Sequence, residues 1–127
     1  MVKMIFKQMI EQCGLDRQEA ADYLDYSLGA IKKWITGERV LPDDVIAKMA
    51  VLNDLINKNA NRIASDLLNK GTAIDDQTIH FIEDNLPDLP DLPSNGAKDA
   101  CLARAVLIAA SKQLATVNSV KASFGCP

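Results

Sequence analysis

An apolar stripe between residues 43 and 70 constrains the fold of this chain more than any other feature. Its members are spaced by 4, 3, 4, 4, 3 and 4 residues: Val45, Met49, Leu52, Ile56, Ala60, Ile63 and Leu67. These spacings follow the pitch of a helix, and no Gly or Pro intervenes before Gly71, so the segment predicts one long helix. Asp43 and Asp44 suit its N-terminal dipole. A stripe this narrow needs a second helix against it, either from the same chain or from a second copy.

Two short helices are predicted near the start of the chain. The first carries apolar residues at one-, three- and four-residue steps: Ile5, Phe6, Met9, Ile10 and Cys13. Gly14 ends it, because glycine tolerates the positive φ of a helix stop. Asp16 and Glu19 form a capping-box pattern that starts the second helix. The inner face of that second helix consists of Ala20, Ala21 and Leu24.

A third short helix follows after a tight connection at Asp25 and Tyr26. Ser27 is its predicted N-cap. Ile31, Trp34 and Ile35 share its inward face, which assigns Trp34 to the core rather than to a stacking role. Gly37 ends the helix, and residues 38–42 are predicted to form a loop.

The second half of the chain gives weaker signals. Residues 78–82 have the β-branched and aromatic content of a short strand. Residues 86–93 contain three prolines and predict an extended linker, because proline removes a backbone donor and restricts the residue before it. A last, alanine-rich helix is predicted from about Ala97 to Val117, and residues 118–127 show no usable pattern. The predicted inward positions of this last helix are Ala100, Ala103, Val106, Leu107, Ala110 and Leu114.

The net charge of −3 comes from one segment of the chain. Residues 71–96 hold six acidic residues and no Lys or Arg, whereas residues 1–70 are neutral and residues 97–127 carry a net charge of +3. Exposed charges are screened within about 8 Å at physiological salt. The overall acidity therefore says little about the local field elsewhere.

Composition argues against several classes of site. The three cysteines are far apart and there is a single histidine, so we expect no metal site, no cofactor and no disulfide framework. No Ser/His/Asp set or phosphate-binding glycine loop occurs, which favours a protein that is not an enzyme. No apolar run reaches the roughly 18 residues of a membrane span, and residues 1–8 lack the apolar block of a secretory signal. We therefore expect a cytoplasmic protein with reduced thiols and no membrane association.

The second and third helices have the layout of a helix-turn-helix. Eleven positions in this region agree in order and spacing with the Cro/CI-type repressor family, which the chain resembles over residues 4–55. They are Leu15, Arg17, Glu19, Ala21, Leu24, Tyr26, Ser27, Ile31, Trp34, Gly37 and Pro42. Asp25 departs from the family, in which Gly is usual. The turn survives this change because Asp tolerates left-handed backbone better than most residues.

A closer resemblance is to the small phage and bacterial regulators that include the anti-CRISPR-associated repressors. It rests on residues 34–37, on residues 42–45 with Met49, and more weakly on residues 78–81 and 101–106. In that group the second half of the chain forms a two-fold dimer. The resemblance thus implies a mainly α, five-helix chain in two parts. Residues 1–70 would form a helix-turn-helix DNA-binding domain running into a long helix. Residues 71–127 would hold the acidic, proline-containing linker, one short strand and a dimerisation helix.

The resemblance also assigns DNA contacts residue by residue. Arg17 would face the phosphate backbone, Ser27 would donate to a phosphate, and Arg39 would lie in a loop that crosses the backbone. The outward positions of the reading helix are Leu28, Gly29, Lys32 and Lys33. Relatives commonly carry Arg, Gln or Ser where this chain has Leu28-Gly29-Ala30, so direct readout would rest on the two lysines and an apolar contact with thymine methyls. Solvated lysines, and pairing of the arginines with Glu19 or Glu38, are the alternatives.

The leading functional hypothesis is a homodimeric transcriptional repressor that binds a palindromic operator, at its own phage or mobile-element operon. The residues assigned to dimerisation are Met49, Leu52, Ile56, Ile63, Leu67, Val106, Leu107 and Ala110. The alternative is an antitoxin-like interaction module that binds a co-encoded toxin. An RNA-binding protein is a third possibility, and an enzyme comes last.

Overall fold

A computed structural model describes residues 5–71, 73–85 and 87–123, with side chains up to residue 115. Every element of regular structure in these ranges is a helix. The six helices are α1 Ile5–Gln12, α2 Arg17–Leu24, α3 Leu28–Thr36, α4 Asp43–Asn69, α5 Asp76–Asp84 and α6 Asn95–Ser123. The mainly α class is therefore confirmed. The prediction of five helices and a strand is wrong, because residues 78–82 belong to α5.

Helix α5 forms because its N-terminus is capped. The Asp75 side chain accepts a hydrogen bond from the backbone N–H of Thr78 at 3.0 Å, and the Thr78 hydroxyl donates to the carbonyl of Ala73. Thr78 and Ile82 face the core. A local cap and a four-residue buried repeat thus outweigh the β-branched composition from which a strand was predicted.

The helix ends in the first half lie close to the predicted positions. Asp16 and Glu19 form both bonds of the capping box, at 2.7 and 3.0 Å. Ser27 caps α3, and Gly37 ends it in the left-handed region with φ of 81°. Helix α4 runs unbroken for 27 residues, as predicted.

Helix α4 packs along α6, and the two run in the same direction. Cys101 lies against Ile56, with its Sγ 3.6 Å from the Ile56 carbonyl oxygen. Farther along, the N–H of Ile74 donates to Gln113 Oε1. Ile74 is five residues past the end of α4, a reach of at most about 18 Å. The later part of α6 therefore lies near the end of α4 and not near its start.

Small side chains let α4 and α6 approach closely. Six residues at this contact have no solvent exposure: Ile56, Ala60 and Ala64 on α4, and Cys101, Ala105 and Ala109 on α6. Each set is spaced by four residues, so its members lie in one row along their helix. Burial raises the pKa of the Cys101 thiol. The buried row on α6 differs from the inward face that was predicted for the last helix. Three of the residues predicted to face inward are exposed: Ala103, Leu107 and Leu114.

The proline-containing segment is non-helical over its described residues, 87–93, as predicted; Leu86 lies outside the described residues. It is not a solvated linker, however. Leu89 and Leu92 are buried, with 1% and 5% exposure, and belong to the same core as α1 to α4. Their burial follows from the path of the chain, since this stretch must return alongside α4 before α6 begins.

Arg104 ties three helices together. Its Nη1 donates to the side-chain oxygens of Asn53 and Asn57 at 2.8 and 2.7 Å, and its Nη2 donates to the carbonyl of Gln12 at 2.7 Å. Gln12 is the last residue of α1, where carbonyls lack helical partners and favour a cation. Burial raises the pKa of the nearby Cys13 thiol, an effect that the Arg104 charge opposes. Arg104 thereby joins α6 directly to α1 and α4.

None of the helices in the described ranges is both long and apolar enough to cross a membrane.

Candidate nucleic-acid interface

The turn between α2 and α3 is held by its own backbone. Asp25 adopts the left-handed conformation with φ of 60°, and the N–H of Tyr26 donates to the carbonyl of Ala21 at 3.1 Å. The Ser27 Oγ accepts from the N–H of Ala30 at 3.1 Å. Asp25 thus provides the left-handed backbone position that closes the turn between α2 and α3. The Ser27 hydroxyl proton stays available to a phosphate, because the cap uses only the oxygen.

Trp34 fixes the orientation of α3. Its ring meets Phe6 of α1 edge to face, with centroids 5.9 Å apart, and Tyr26 of the turn at 4.8 Å. Trp34 is 7% exposed, so its assignment to the core is confirmed. Edge-to-face pairs of this kind add roughly 0.5–1.5 kcal/mol each beyond burial. Trp34 thus packs the inner side of α3 against α1 and the turn, and the opposite side of α3 is directed outward.

The outward side of α3, here called the reading face, combines two cations with small or short side chains. Its members are Leu28, Gly29, Lys32, Lys33 and Thr36, which fall within about 140° of the helix circumference at 100° per residue. All are exposed except Leu28, which is half-buried. No acidic residue lies among them, so this face presents a net positive charge.

Thr36 is a member of the reading face that the sequence analysis missed. It is exposed, and its Oγ1 donates to the Lys33 carbonyl at 3.2 Å. Its position four residues after Lys32 was the available signal, because residues four apart on a helix are neighbours on one face.

Open space surrounds Gly29. A Cβ added there would meet only the Ser27 Oγ, at 3.8 Å, which is an ordinary contact distance. A longer side chain at this position would therefore extend from the reading face without displacing backbone. The reading face is accordingly flat around residue 29, with Lys32 and Lys33 as its longest side chains.

The two arginines that were predicted to contact the DNA backbone, Arg17 and Arg39, lie outside α3. Arg39 is exposed in the loop after α3, and its N–H donates to the Lys33 carbonyl at 3.3 Å. Arg17 is the first residue of α2 and is exposed. Within the described part of the chain, neither arginine forms an ion pair with Glu19 or Glu38 at 4.0 Å or less. Both guanidinium groups are thus free to meet an external anion.

Contacts with α4 hold the helix-turn-helix in place. The Tyr26 hydroxyl donates to the Asp44 carboxylate at 2.9 Å, which raises the pKa of Tyr26. The Tyr23 hydroxyl donates to the Lys48 carbonyl at 2.9 Å, and Lys48 Nζ donates to the Leu24 carbonyl at 3.2 Å. The Lys48 ammonium therefore lies at the C-terminal end of α2, where the helix dipole favours a positive charge.

Comparison of this chain with protein-family models, with curated proteins and with solved structures finds no match.

Three of the residues assigned to dimerisation are occupied within the chain. Met49, Leu52 and Ile56 are 2%, 0% and 0% exposed, because they pack inside the core of a single chain. They are not available to a second copy, which corrects that part of the assignment. Ile63 and Leu67 are half-buried against the same core.

The remaining dimerisation candidates lie on an unpartnered side of α6. Leu107 is 66% exposed, and Val106 and Ala110 are half-buried. Ala103, Leu107, Ala110 and Leu114 continue at spacings of 4, 3 and 4 residues, and Leu114 is 62% exposed. This set is here called the α6 ridge. Its spacing is that of a helix seam.

Among the described residues, no group of three or more His, Cys, Asp or Glu side chains could hold a metal ion. His80 is exposed and lies between two acids of its own helix, 3.2 Å from Asp76 and 3.5 Å from Glu83.

Proposed function

We propose that this protein is a sequence-specific DNA-binding repressor that acts as a homodimer on a palindromic operator. The observation that carries the proposal is the reading face of α3. A helix anchored on its inner side by Trp34 presents Lys32 and Lys33 outward, with no acidic residue between them. A helix of this diameter fits the major groove, where lysine hydrogen-bonds the O6 and N7 of guanine.

Phosphate contacts would come from the groups around the reading face. Arg17 and Arg39 have no partner among the described carboxylates, and Ser27 retains a donor proton. Such contacts fix the position of the protein on the duplex, whereas the groups on α3 that reach base edges select the sequence. Leu28 would touch a thymine methyl, since it is the one apolar member of the reading face.

Dimerisation would use the α6 ridge. Two copies related by a two-fold axis present the same face to each other, which suits an unpartnered stripe of this spacing. Two reading faces would then occupy half-sites about one helical turn, roughly 34–36 Å, apart. Bound at a promoter, such a dimer excludes RNA polymerase without any chemistry of its own.

Competition binding tests the DNA-binding part. The probes are a duplex from the region upstream of the protein's own gene and a scrambled duplex of equal length. Lys32→Ala and Lys33→Ala should weaken the preferred duplex by about 1–3 kcal/mol more than the scrambled one if either makes a base contact. Arg17→Ala should weaken both duplexes nearly equally and make the salt dependence shallower.

Lys58→Ala is the matched control, because Lys58 lies on α4 and pairs with Asp54 of the same helix at 2.8 Å. It removes the same charge away from the reading face and should leave both affinities within twofold. If Lys32→Ala and Lys33→Ala lose the same affinity for both duplexes, these lysines contact phosphates and do not select the sequence. A wild-type affinity that does not change with salt would contradict duplex binding altogether.

Light scattering tests the dimer separately from DNA. The expected mass is about twice 13.8 kDa, and Leu107→Gln with Leu114→Gln should return it to the monomer value. Val51→Gln is the control, since Val51 is 57% exposed on α4 and lies off the α6 ridge. A monomeric wild type at micromolar concentration would remove the argument for a palindromic site.

A further inference from the structure

A groove of about 620 Å³ lies between α5 and α6. Its walls are apolar and include Ile79 and Ile82 from α5 and Leu102 and Val106 from α6. Ile79 is 40% exposed although it belongs to this apolar surface. The groove is open to solvent along one side. Its position between two helices and its opening to solvent therefore suit a third helix better than a compact small molecule enclosed on all sides.

The charged residues that line the groove are acidic. Glu83 of α5 and Asp99 of α6 lie on its two walls, and both are exposed. Among the described residues that line the groove there is no Lys or Arg. Helix α5 itself carries Asp76, Glu83 and Asp84 and no basic residue other than His80. An occupant that buries the apolar floor thus meets carboxylates on both sides.

We propose that the α5–α6 groove binds an amphipathic helix of a partner protein, with Lys or Arg flanking the apolar face of that helix. Such a helix places apolar anchors at i, i+3, i+4 and i+7 into a groove between two helices. Its flanking cations meet Glu83 and Asp99. Ala103 and Leu107 of this groove also belong to the α6 ridge, so a partner helix and a second copy of this chain compete for this surface. The carboxylates on both walls favour the cationic helix. The binding does not depend on DNA.

A labelled peptide helix tests the proposal without DNA. The probe is an 18-residue peptide of Leu and Lys with one apolar face, and its matched counterpart replaces every Lys with Glu. Fluorescence anisotropy against the full chain should show saturable binding of the Lys peptide and at least tenfold weaker binding of the Glu peptide. Affinity of the Lys peptide should fall as salt is raised.

Variants locate the binding. Glu83→Gln and Asp99→Asn should each weaken the Lys peptide about two- to fivefold, as expected for an exposed ion pair. Ile79→Asp should weaken it at least tenfold by placing a charge on the apolar wall. Asp84→Asn is the matched control: it removes the same charge one residue from Glu83, outside the groove, and should change affinity by less than twofold. Circular dichroism should give the same helix content for all four variants, since each substituted side chain is exposed.

Three results would overturn the proposal. One is equal binding of the Lys and Glu peptides. Another is an equal loss from Asp84→Asn and Glu83→Gln, which would indicate attraction to overall charge and not to the groove. The third is a combination of two observations: the wild-type dimer does not bind the peptide, and Ile79→Asp converts that dimer to a monomer. The groove would then be occupied by the second copy of this chain. Peptide binding by a chain that fails every DNA test would leave this inference standing and reject only the proposed repressor function.

Discussion

Gly14 and Gly96 pack backbone against backbone. A Cβ added to either residue would overlap the carbonyl oxygen of the other. Gly14 lies between α1 and α2 and Gly96 in the first turn of α6, so this contact places the start of α6 against the helix-turn-helix half. Gly14 also has φ of 71°, which side chains rarely adopt.

Gly96→Ala should therefore lower the free energy of unfolding by about 1–3 kcal/mol, the usual cost of overpacking a close contact. Gly14→Ala should cost roughly 1–2 kcal/mol more, because its left-handed φ adds strain to the same overlap. Gly29→Ala is the control, since Gly29 is helical and exposed and gains helix propensity. Urea unfolding measures all three. A neutral Gly96→Ala would mean that α6 is not seated against Gly14.

Arg104→Ala should destabilise the protein by about 1–3 kcal/mol, because it removes three hydrogen bonds that span three helices. Arg104→Lys should recover only part of the loss, since an ammonium cannot reproduce the planar fork of the guanidinium. Arg62→Ala provides the comparison: among the residues that the structure describes, Arg62 donates only to Asn59, three residues earlier on an exposed face. Its effect should stay within about 0.5 kcal/mol. Thermal unfolding that ranks Arg62→Ala with Arg104→Ala would contradict the bridging role.

Gly29→Arg should change which half-site the protein prefers while keeping it folded. The open space at Gly29 admits the side chain, and arginine binds guanine bidentately in the major groove. Helix propensity favours the change by somewhat less than 1 kcal/mol. Selection from a randomised duplex pool, compared between wild type and variant, reads the preference directly. Gly29→Ala controls for the propensity gain and should keep the wild-type preference.

Tyr26 should titrate above the ordinary tyrosine pKa of about 10. The hydrogen bond from its hydroxyl to Asp44 is the largest cause, because the neutral phenol donates to the carboxylate and the phenolate cannot. Since the folded pKa is raised, this contribution to stability is complete below the unfolded pKa and is lost as pH rises through the folded one. Asp44→Asn should lower the pKa of Tyr26.

Ultraviolet absorbance of the phenolate follows both tyrosines. Tyr23 is the internal reference: burial is the main cause of its raised pKa, so Asp44→Asn should leave it unchanged. A parallel shift of both residues would point to a change of fold and not to loss of the Tyr26–Asp44 bond.

The helix ends in the first half could be predicted because their causes are local. Asp16, Ser27 and Gly37 act on backbone groups within three residues, so their positions in the sequence carry the information. The cap at Asp75 is equally local, but residues 78–82 were interpreted by their β-branched and aromatic content. That preference is weak compared with burial of Thr78 and Ile82 against the rest of the protein.

The orientation of α6 could not be predicted from its own sequence. Ala97, Cys101, Ala105 and Ala109 form one apolar stripe, and Ala103, Leu107, Ala110 and Leu114 form another. The choice between them depends on size, because only the smaller set fits against Ala60 and Ala64 of α4. That partner lies some 45 residues away in the chain, as Cys101 and Ile56 show. The same long-range contact decided that Leu52 and Ile56 are core residues.

The parallel course of α4 and α6 has a consequence for synthesis of the protein. When the ribosome has finished α4, the part of that helix around Ile56, Ala60 and Ala64 lacks its α6 partner until residues 97–109 have also emerged and returned alongside it. Such contacts between distant parts of a chain form slowly and leave apolar surface open to association in the meantime. Nascent chains that still hold residues 97–109 inside the ribosome should therefore bind a chaperone, and chains from which these residues have emerged should release it.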